Sequence, residues 1–201
     1  MNRREERKMK ILVIDSAISA NSMTDKILSM ALKEINAKGC GELLETLRLD
    51  EHKDEIHPLD SIFLKKRTDL VKRGDYSDPI FNFAKKLCEA DLLLIAAPFY
   101  DLSVPALLKC FIEMTMIDGL TFIDKGDHAE GLLKAKKMLF LYASGYSLGE
   151  KNPDFASTWL GGIAAMWGIK GFDSYHLTYR EAASIKETPD VLREKVDWFL
   201  R

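Results

Sequence analysis

The sequence predicts a doubly wound α/β domain, in which a five-stranded parallel sheet carries helices on both faces. Strand and helix patterns alternate about five times along the 201 residues, which is typical of this class. The strands are continuous apolar runs, as expected of strands that are buried on both faces. We expect a charged N-terminal arm at residues 1–9 and a single domain over residues 10–201.

The predicted elements follow one another in a regular order. The apolar run at residues 10–15 predicts the first strand, and helical spacing over residues 22–37 predicts a helix that ends near Gly39. Residues 50–78 are polar and mixed, and predict a long excursion with one short helix. Further strands are predicted at residues 43–49, 91–97, 137–143 and 168–178, and further helices at residues 79–89, 104–116, 153–167 and 181–200.

Composition excludes several classes of function. Lys and Arg number 29 and Asp and Glu number 31, so the chain lacks the basic excess of a nucleic-acid binder. The longest apolar run, Leu92–Phe99, is too short to span a bilayer, and we expect no membrane partner. Three scattered cysteines and four histidines predict no metal site. Reduced thiols favour a cytoplasmic location.

In a sheet of this kind, ligands bind beyond the carboxyl ends of the strands. The first loop there, residues 16–24, has no glycine, so it is neither a dinucleotide fingerprint nor a Walker loop. Its hydroxyl side chains stand just ahead of a helix, where free N–H groups favour a phosphate. Simple capping of that helix explains the same residues equally well.

The second and third loops follow the next two buried strands. In the second loop, residues 96–105, Phe99 and Tyr100 predict a platform for a flat ring, or else core or interface side chains. The third loop, residues 143–149, has glycines at both sides of Tyr146, which would let the backbone approach a ligand. An ordinary glycine turn is the alternative for the third loop.

Taken together, the three loops resemble those of the FMN-dependent azoreductases and the flavodoxin-like NAD(P)H:quinone oxidoreductases. The resemblance runs from about Lys10 to about Thr178. It is carried by the A-P-x-Y segment ending at Tyr100, by S-G-Y-S-x-G at residues 144–149, and by G-x-T-F at residues 119–122. The family fold is flavodoxin-like, with strand order 2-1-3-4-5 and FMN at the point where that order reverses.

The resemblance assigns a role to each matching residue. The FMN phosphate would be held by Ser16, Ser22, Met23 and Thr24. One side of the isoalloxazine would be lined by Pro98, Phe99, Tyr100 and Asp101, and its pyrimidine end by Ser144, Gly145 and Tyr146. The substrate pocket would be formed by Tyr100, Tyr146 and Phe122, the last from the neighbouring subunit of a homodimer.

The activity implied by the resemblance is hydride transfer from NADH or NADPH, through FMN, to a quinone, an azo compound or a related small aromatic acceptor. The two half-reactions would alternate at one place, and the cofactor would carry the chemistry, so no catalytic side chain or metal is required. His57, His128 and His176 are interpreted as structural or solvated. Phe99, Asp101 and Tyr146 depart from the usual Met, Asn and Gly, which leaves the acceptor open.

Asp101 has two interpretations: a side chain that faces solvent or caps the helix that begins near Ser103, or a carboxylate near the flavin. Two other functions also stay open on this fold. One is a flavodoxin-type electron carrier, although its T-G-x-T phosphate loop and acidic surface are missing. The other is a flavin-free interaction protein.

Overall fold

The structure of the protein is a computed structural model that describes residues 9–19 and 21–201. The predicted arm, apart from Met9, lies outside the described residues. The strands are β1 (Ile11–Asp15), β2 (Leu44–Arg48), β3 (Leu92–Pro98), β4 (Phe122–Asp124), β5 (Ala129–Gly131), β6 (Lys137–Ser144) and β7 (Gly171–Thr178). Five of them form one parallel sheet in the order β2-β1-β3-β6-β7, while β4 and β5 form a separate antiparallel pair. The predicted flavodoxin-like fold and its 2-1-3-4-5 order are confirmed.

The helices that surround the sheet begin at side-chain caps where the sequence offers them. The Oγ of Ser22 accepts a hydrogen bond from the backbone N–H of Asp25, and Thr178 and Glu181 form a reciprocal capping box. The helices are α1 (Met23–Ala37), α2 (Ser61–Lys72), α3 (Asn82–Glu89), α4 (Ala106–Thr115), α5 (Phe155–Met166), α6 (Tyr179–Ser184) and α7 (Asp190–Leu200).

Alternate residues of the central strands pack in two separate apolar cores, one on each face of the sheet. Leu12 and Ile14 of β1 point to the face that holds Phe111, whereas Ile11 and Val13 point to the opposite face. Every residue of β1 and β3 is buried. Burial on both faces explains why these strands are continuous apolar runs without alternation.

Two local predictions differ from the structure, and one pair of strands has no counterpart among the predicted elements. The helix expected at residues 181–200 is two helices, α6 and α7, because Pro189 lacks the N–H that a continuous helix would need there. The excursion at residues 50–78 contains α2, whose 12 residues make it longer than the short helix expected. The β4–β5 hairpin was not predicted, since strands of three residues are too short to show periodicity.

No helix among the described residues is both long enough and apolar enough to cross a membrane. All three cysteines are free thiols. Over the same residues, no group of three or more His, Cys, Asp or Glu side chains is placed to hold a metal ion.

Candidate functional site

The ends of four neighbouring strands bring the three loops to one edge of the sheet. Asp15 at the end of β1 pairs with Ala96 of β3, and Pro98 at the end of β3 pairs with Ala143 of β6. The end of β6 is in turn beside the end of β7. The loops that follow these strands therefore meet, as the parallel sheet requires.

A cavity of about 540 Å³ opens at this edge, which is within the range of small-molecule sites. Its walls are aromatic and polar, and among the described residues that line it only Asp101 has a charged side chain. Six predicted site residues line it, namely Phe99, Tyr100, Asp101, Ser144, Gly145 and Tyr146, together with Leu102, Asn152 and Tyr179, which were not predicted. A second cavity of about 410 Å³ lies apart from the three loops, beside α2 and the start of α3.

A tight turn shapes the wall formed by the second loop. Tyr100 and Ser103 exchange both backbone hydrogen bonds, at 3.0 and 2.8 Å. The two residues between them, Asp101 and Leu102, have φ of +49° and +66°, so the turn is of type I′. Holding Leu102 in this left-handed region costs of order 1–3 kcal/mol. The side chain of Leu102 is thereby turned to the cavity.

The helix-cap interpretation of Asp101 is wrong. Helix α4 starts later than expected, with Pro105 at its N-cap and no side-chain capping bond. Asp101 instead occupies the first central position of the turn, where Asp and Asn are favoured because they tolerate a positive φ. Its carboxylate is exposed at the cavity.

The opposite wall is a network of hydrogen bonds at the ends of β6 and β7. The Ser144 hydroxyl donates to the carbonyl oxygen of Tyr146, and Nε2 of His176 lies 2.7 Å from the Ser144 Oγ. Burial lowers the pKa of His176, although Asp154 and Glu181 oppose that shift. The His176 ring is therefore neutral at pH 7, and its partner Ser144 connects it to the cavity.

Tyr142 and Asp154 stabilise this wall through the hydrogen bond between them. The Tyr142 hydroxyl donates to Asp154 at 2.5 Å, and its pKa is raised far above its ordinary value by burial and by the carboxylate. Burial would raise the pKa of Asp154, but hydrogen bonds from Ser157 and Tyr142 outweigh it and lower the value. Asp154 stays ionised and caps α5 through the N–H of Ser157.

The first loop contains two buried hydroxyls without a partner. Ser16 and Thr24 are each 1% exposed, and neither Ser16 Oγ nor Thr24 Oγ1 has a hydrogen-bond partner in the structure. The Ser22 hydroxyl caps α1 as an acceptor and can still donate its own hydrogen, and Met23 beside it is half-buried. Buried hydroxyls without partners are costly, so a ligand that accepts from them at the start of α1 would relieve that cost. A phosphate group fits these donors.

The base of the first loop carries an ion pair that sequence reasoning missed. Asp15 is buried at the end of β1, where it accepts a hydrogen bond from the Ala17 N–H and lies 3.3 Å from Arg48 Nε on β2. Burial raises the pKa of Asp15, while the Ala17 bond and Arg48 oppose the shift. The acidic residue that ends an otherwise apolar strand was the available signal.

The remaining predicted residues lie away from the cavity lining. Pro98 is buried within β3. Phe122 is half-buried on β4, where it pairs with Gly131, and it does not reach the cavity of its own chain. Tyr179 directly follows the last strand, a position that could have suggested a fourth loop at the same edge.

Comparison with known proteins agrees with this architecture. Residues 9–199 match the family model described as flavodoxin-like fold. An FMN-dependent NADH:quinone oxidoreductase of Gluconobacter oxydans is 32% identical over 171 residues, covering 80% of this chain and 84% of that protein. A protein of the same name from Clostridium beijerinckii is 31% identical over 131 residues, and the matched part spans 63% of this chain and 64% of that protein.

Among solved structures, an FMN-dependent NADH-azoreductase from Bacillus anthracis in complex with FMN superposes with a TM-score of 0.75. It is 18% identical, and the match covers 95% of this chain and 97% of that one. At this identity the match establishes the shared fold.

Proposed function

This chain belongs to the flavodoxin-like fold family, and we propose that it is an FMN-dependent NADH oxidoreductase. Its acceptors would be quinones, azo compounds or related small aromatic molecules. The observation that carries the proposal is the meeting of an aromatic cavity with two buried, unpartnered hydroxyls at the carboxyl edge of the sheet. The names and flavin dependence of the relatives point to the same chemistry.

Different residues at this edge would bind different parts of FMN. Ser16 and Thr24 would donate to the phosphate at the N-terminus of α1, where the helix dipole also favours a negative charge. Phe99 and Tyr100 would pack beside the isoalloxazine, and the third loop would border its pyrimidine end. FMN, when bound, supplies the acceptance of hydride from a nicotinamide and its delivery to an acceptor.

We also propose that donor and acceptor use the same place in turn. Both would reach the flavin through the cavity of about 540 Å³ that the second and third loops line. Tyr100 and Tyr146 are both exposed around it, so their rings are available to a planar substrate. Alternating occupancy predicts parallel lines in double-reciprocal plots.

A homodimer would complete the cavity. Exposed apolar side chains surround its mouth, including Leu102, Tyr146 and Tyr179. Such a patch is typical of a surface that binds a ligand or a partner. Phe122 does not reach the cavity of its own chain, and the family resemblance assigns it to the cavity of a second copy across a two-fold axis. The free thiols support a cytoplasmic location.

The test is to purify the chain and measure bound flavin, followed by steady-state assays. NADH and NADPH would each be tried with a quinone and with an azo dye. A yellow protein that oxidises NADH with either acceptor supports the proposal. A colourless protein that takes up no FMN would indicate a flavin-free interaction protein, and a yellow protein that oxidises no nicotinamide would indicate an electron carrier.

A further inference from the structure

We propose that His176 is a positioning residue of the flavin site, which holds the third loop in place by donating a hydrogen bond to Ser144. The inference rests on the proposed function, because the loop is assigned to the pyrimidine end of FMN. His176 itself does not line the cavity. It acts on the cavity only through the side chain of Ser144.

The register of the last two strands creates this contact. Tyr142 of β6 is directly opposite His176 of β7, and Ser144 ends β6 one pair further along the same face. The His176 Nε2 and Ser144 Oγ are 2.7 Å apart, and Ser144 is buried. The Ser144 Oγ is in turn bonded to the carbonyl oxygen of Tyr146, two residues along the third loop.

The hydrogens on Ser144 and His176 determine which atom donates in each of these hydrogen bonds. A serine hydroxyl has one hydrogen, and the carbonyl of Tyr146 can only accept, so the Ser144 hydrogen points to Tyr146. His176 must then donate from Nε2, which makes its neutral form the Nε2–H tautomer. Burial lowers the pKa of His176 and thus keeps the ring neutral at pH 7.

The imidazole is held by its own neighbours. The Tyr142 ring lies 4.9 Å from the His176 ring, centroid to centroid, and the Tyr142 ring also stacks on Phe140 at 4.4 Å. The Tyr142 hydroxyl donates to Asp154, which is anchored at the start of α5. The ring that donates to Ser144 is therefore packed against Tyr142, which is itself held by its bond to Asp154.

The third loop needs such support because packing does not hold its near end. A Cβ on Gly145 would meet no atom within 4 Å, and the Tyr146 side chain is 77% exposed. The far end is held separately, by paired backbone bonds between Gly149 and Asn152. At the near end, the bonds from His176 to Ser144 and from Ser144 to Tyr146 fix where the backbone borders the cavity.

The experiment compares His176→Leu, which removes the donor, with His176→Gln, whose amide can still donate to Ser144. Ser144→Ala and the double variant His176→Leu/Ser144→Ala complete a cycle. Affinities for FMN and for riboflavin are measured by flavin fluorescence. Nitrogen NMR of the wild type identifies the His176 tautomer, and hydrogen exchange of the flavin-free chain reports on the Gly145 and Tyr146 amides.

We expect His176→Leu to weaken the binding of FMN and of riboflavin equally, by about tenfold, which is the loss expected from one good hydrogen bond. His176→Gln should stay within about threefold of the wild type. The double variant should be no worse than the worse single variant, since both remove the same chain of bonds. His176→Leu should also speed exchange at Gly145 and Tyr146, and NMR should show the Nε2–H tautomer.

Equal losses in His176→Leu and His176→Gln, additive losses in the double variant, or an Nδ1–H tautomer would each overturn the positioning role. A wild-type chain that binds neither flavin would instead overturn the proposed function. In that case the exchange rates at Gly145 and Tyr146 in the flavin-free variants still decide whether His176 holds the third loop.

Discussion

Arg48 Nε lies 3.3 Å from Oδ2 of Asp15, across the paired ends of β1 and β2. The Asp15 carboxylate is 3% exposed, while the Arg48 side chain is partly in solvent. A buried carboxylate is costly unless it is paired and hydrogen-bonded, and Arg48 and the Ala17 N–H offset part of that cost, since burial still leaves the pKa of Asp15 raised. The ion pair therefore stabilises the backbone at the base of the first loop.

Arg48→Met should destabilise the folded chain at pH 7, by about 1–2 kcal/mol, because Asp15 loses its cation in a site that is only partly open to water. Burial already raises the pKa of Asp15, so the deficit should shrink as the pH falls through that raised pKa and the carboxyl becomes neutral. Urea unfolding at pH 7 and pH 4.5 measures both effects. In the double variant Asp15→Asn/Arg48→Met most of the stability should return, and a double variant as unstable as Arg48→Met would contradict the pairing.

Thr24→Val should separate phosphate binding from stability. The buried Thr24 hydroxyl has no partner, so removing it should not lower the melting temperature of the flavin-free chain. Loss of its charge-assisted bond should weaken FMN by roughly tenfold and leave riboflavin unchanged. Fluorescence titration with both flavins is the measurement.

Ser22→Ala is the matched control for Thr24→Val. Its hydroxyl caps α1 as an acceptor and can still donate its own hydrogen to the phosphate, so the variant should lose about 1 kcal/mol of stability as well as FMN affinity. Equal losses of FMN and riboflavin in both variants would place the phosphate elsewhere.

Asp101→Asn should raise the reduction potential of the bound flavin by roughly 20–30 mV, because a negative charge at the cavity opposes an anionic reduced flavin. Asn tolerates the left-handed backbone of the turn as well as Asp does, so the fold should be unaffected. A redox titration of both proteins in one buffer tests this. An unchanged potential would mean that the carboxylate is directed away from the ring.

Sedimentation equilibrium should show a dimer. Phe122→Ala should raise the KM for the acceptor with little change in FMN affinity. The reason is that Phe122 lies outside the cavity lining of its own chain and would serve the partner's cavity. A strictly monomeric and fully active protein would remove this assignment.

The stability of the wild type should fall faster below about pH 6.5 than that of His176→Gln. Burial lowers the pKa of His176 below its ordinary value of 6.5, so the unfolded chain takes up a proton at a higher pH than the folded chain does. The contribution of the neutral ring is full above 6.5 and is lost as the pH falls through the folded pKa. Melting temperatures between pH 4.5 and 8 measure the difference, and parallel curves would show that His176 does not titrate in this range.

Much of the fold could be predicted because its signals are local. Strands buried on both faces must be apolar at every position, so β1, β3 and β6 are visible as continuous runs. The β4–β5 hairpin has three-residue strands with no such run. The pattern of apolar residues continues across Pro189, so it does not show the break before α7.

The candidate site could be predicted only where its residues lie next to a strong strand. Phe99, Tyr100, Ser144 and Tyr146 follow β3 and β6 directly, so the sequence by itself determined that they share one edge of the sheet. The sequence also determined that the hydroxyl-rich first loop lies at the start of α1.

What only the tertiary structure decided is how distant side chains meet at that edge. His176 reaches Ser144 because β7 pairs in register with β6, and Asp15 meets Arg48 because β2 lies beside β1. Tyr179 and Asn152 join the cavity from a helix start and a loop that carry no motif. These contacts depend on strand order and register between segments far apart in the chain, whereas propensity and periodicity report only on neighbours a few residues away.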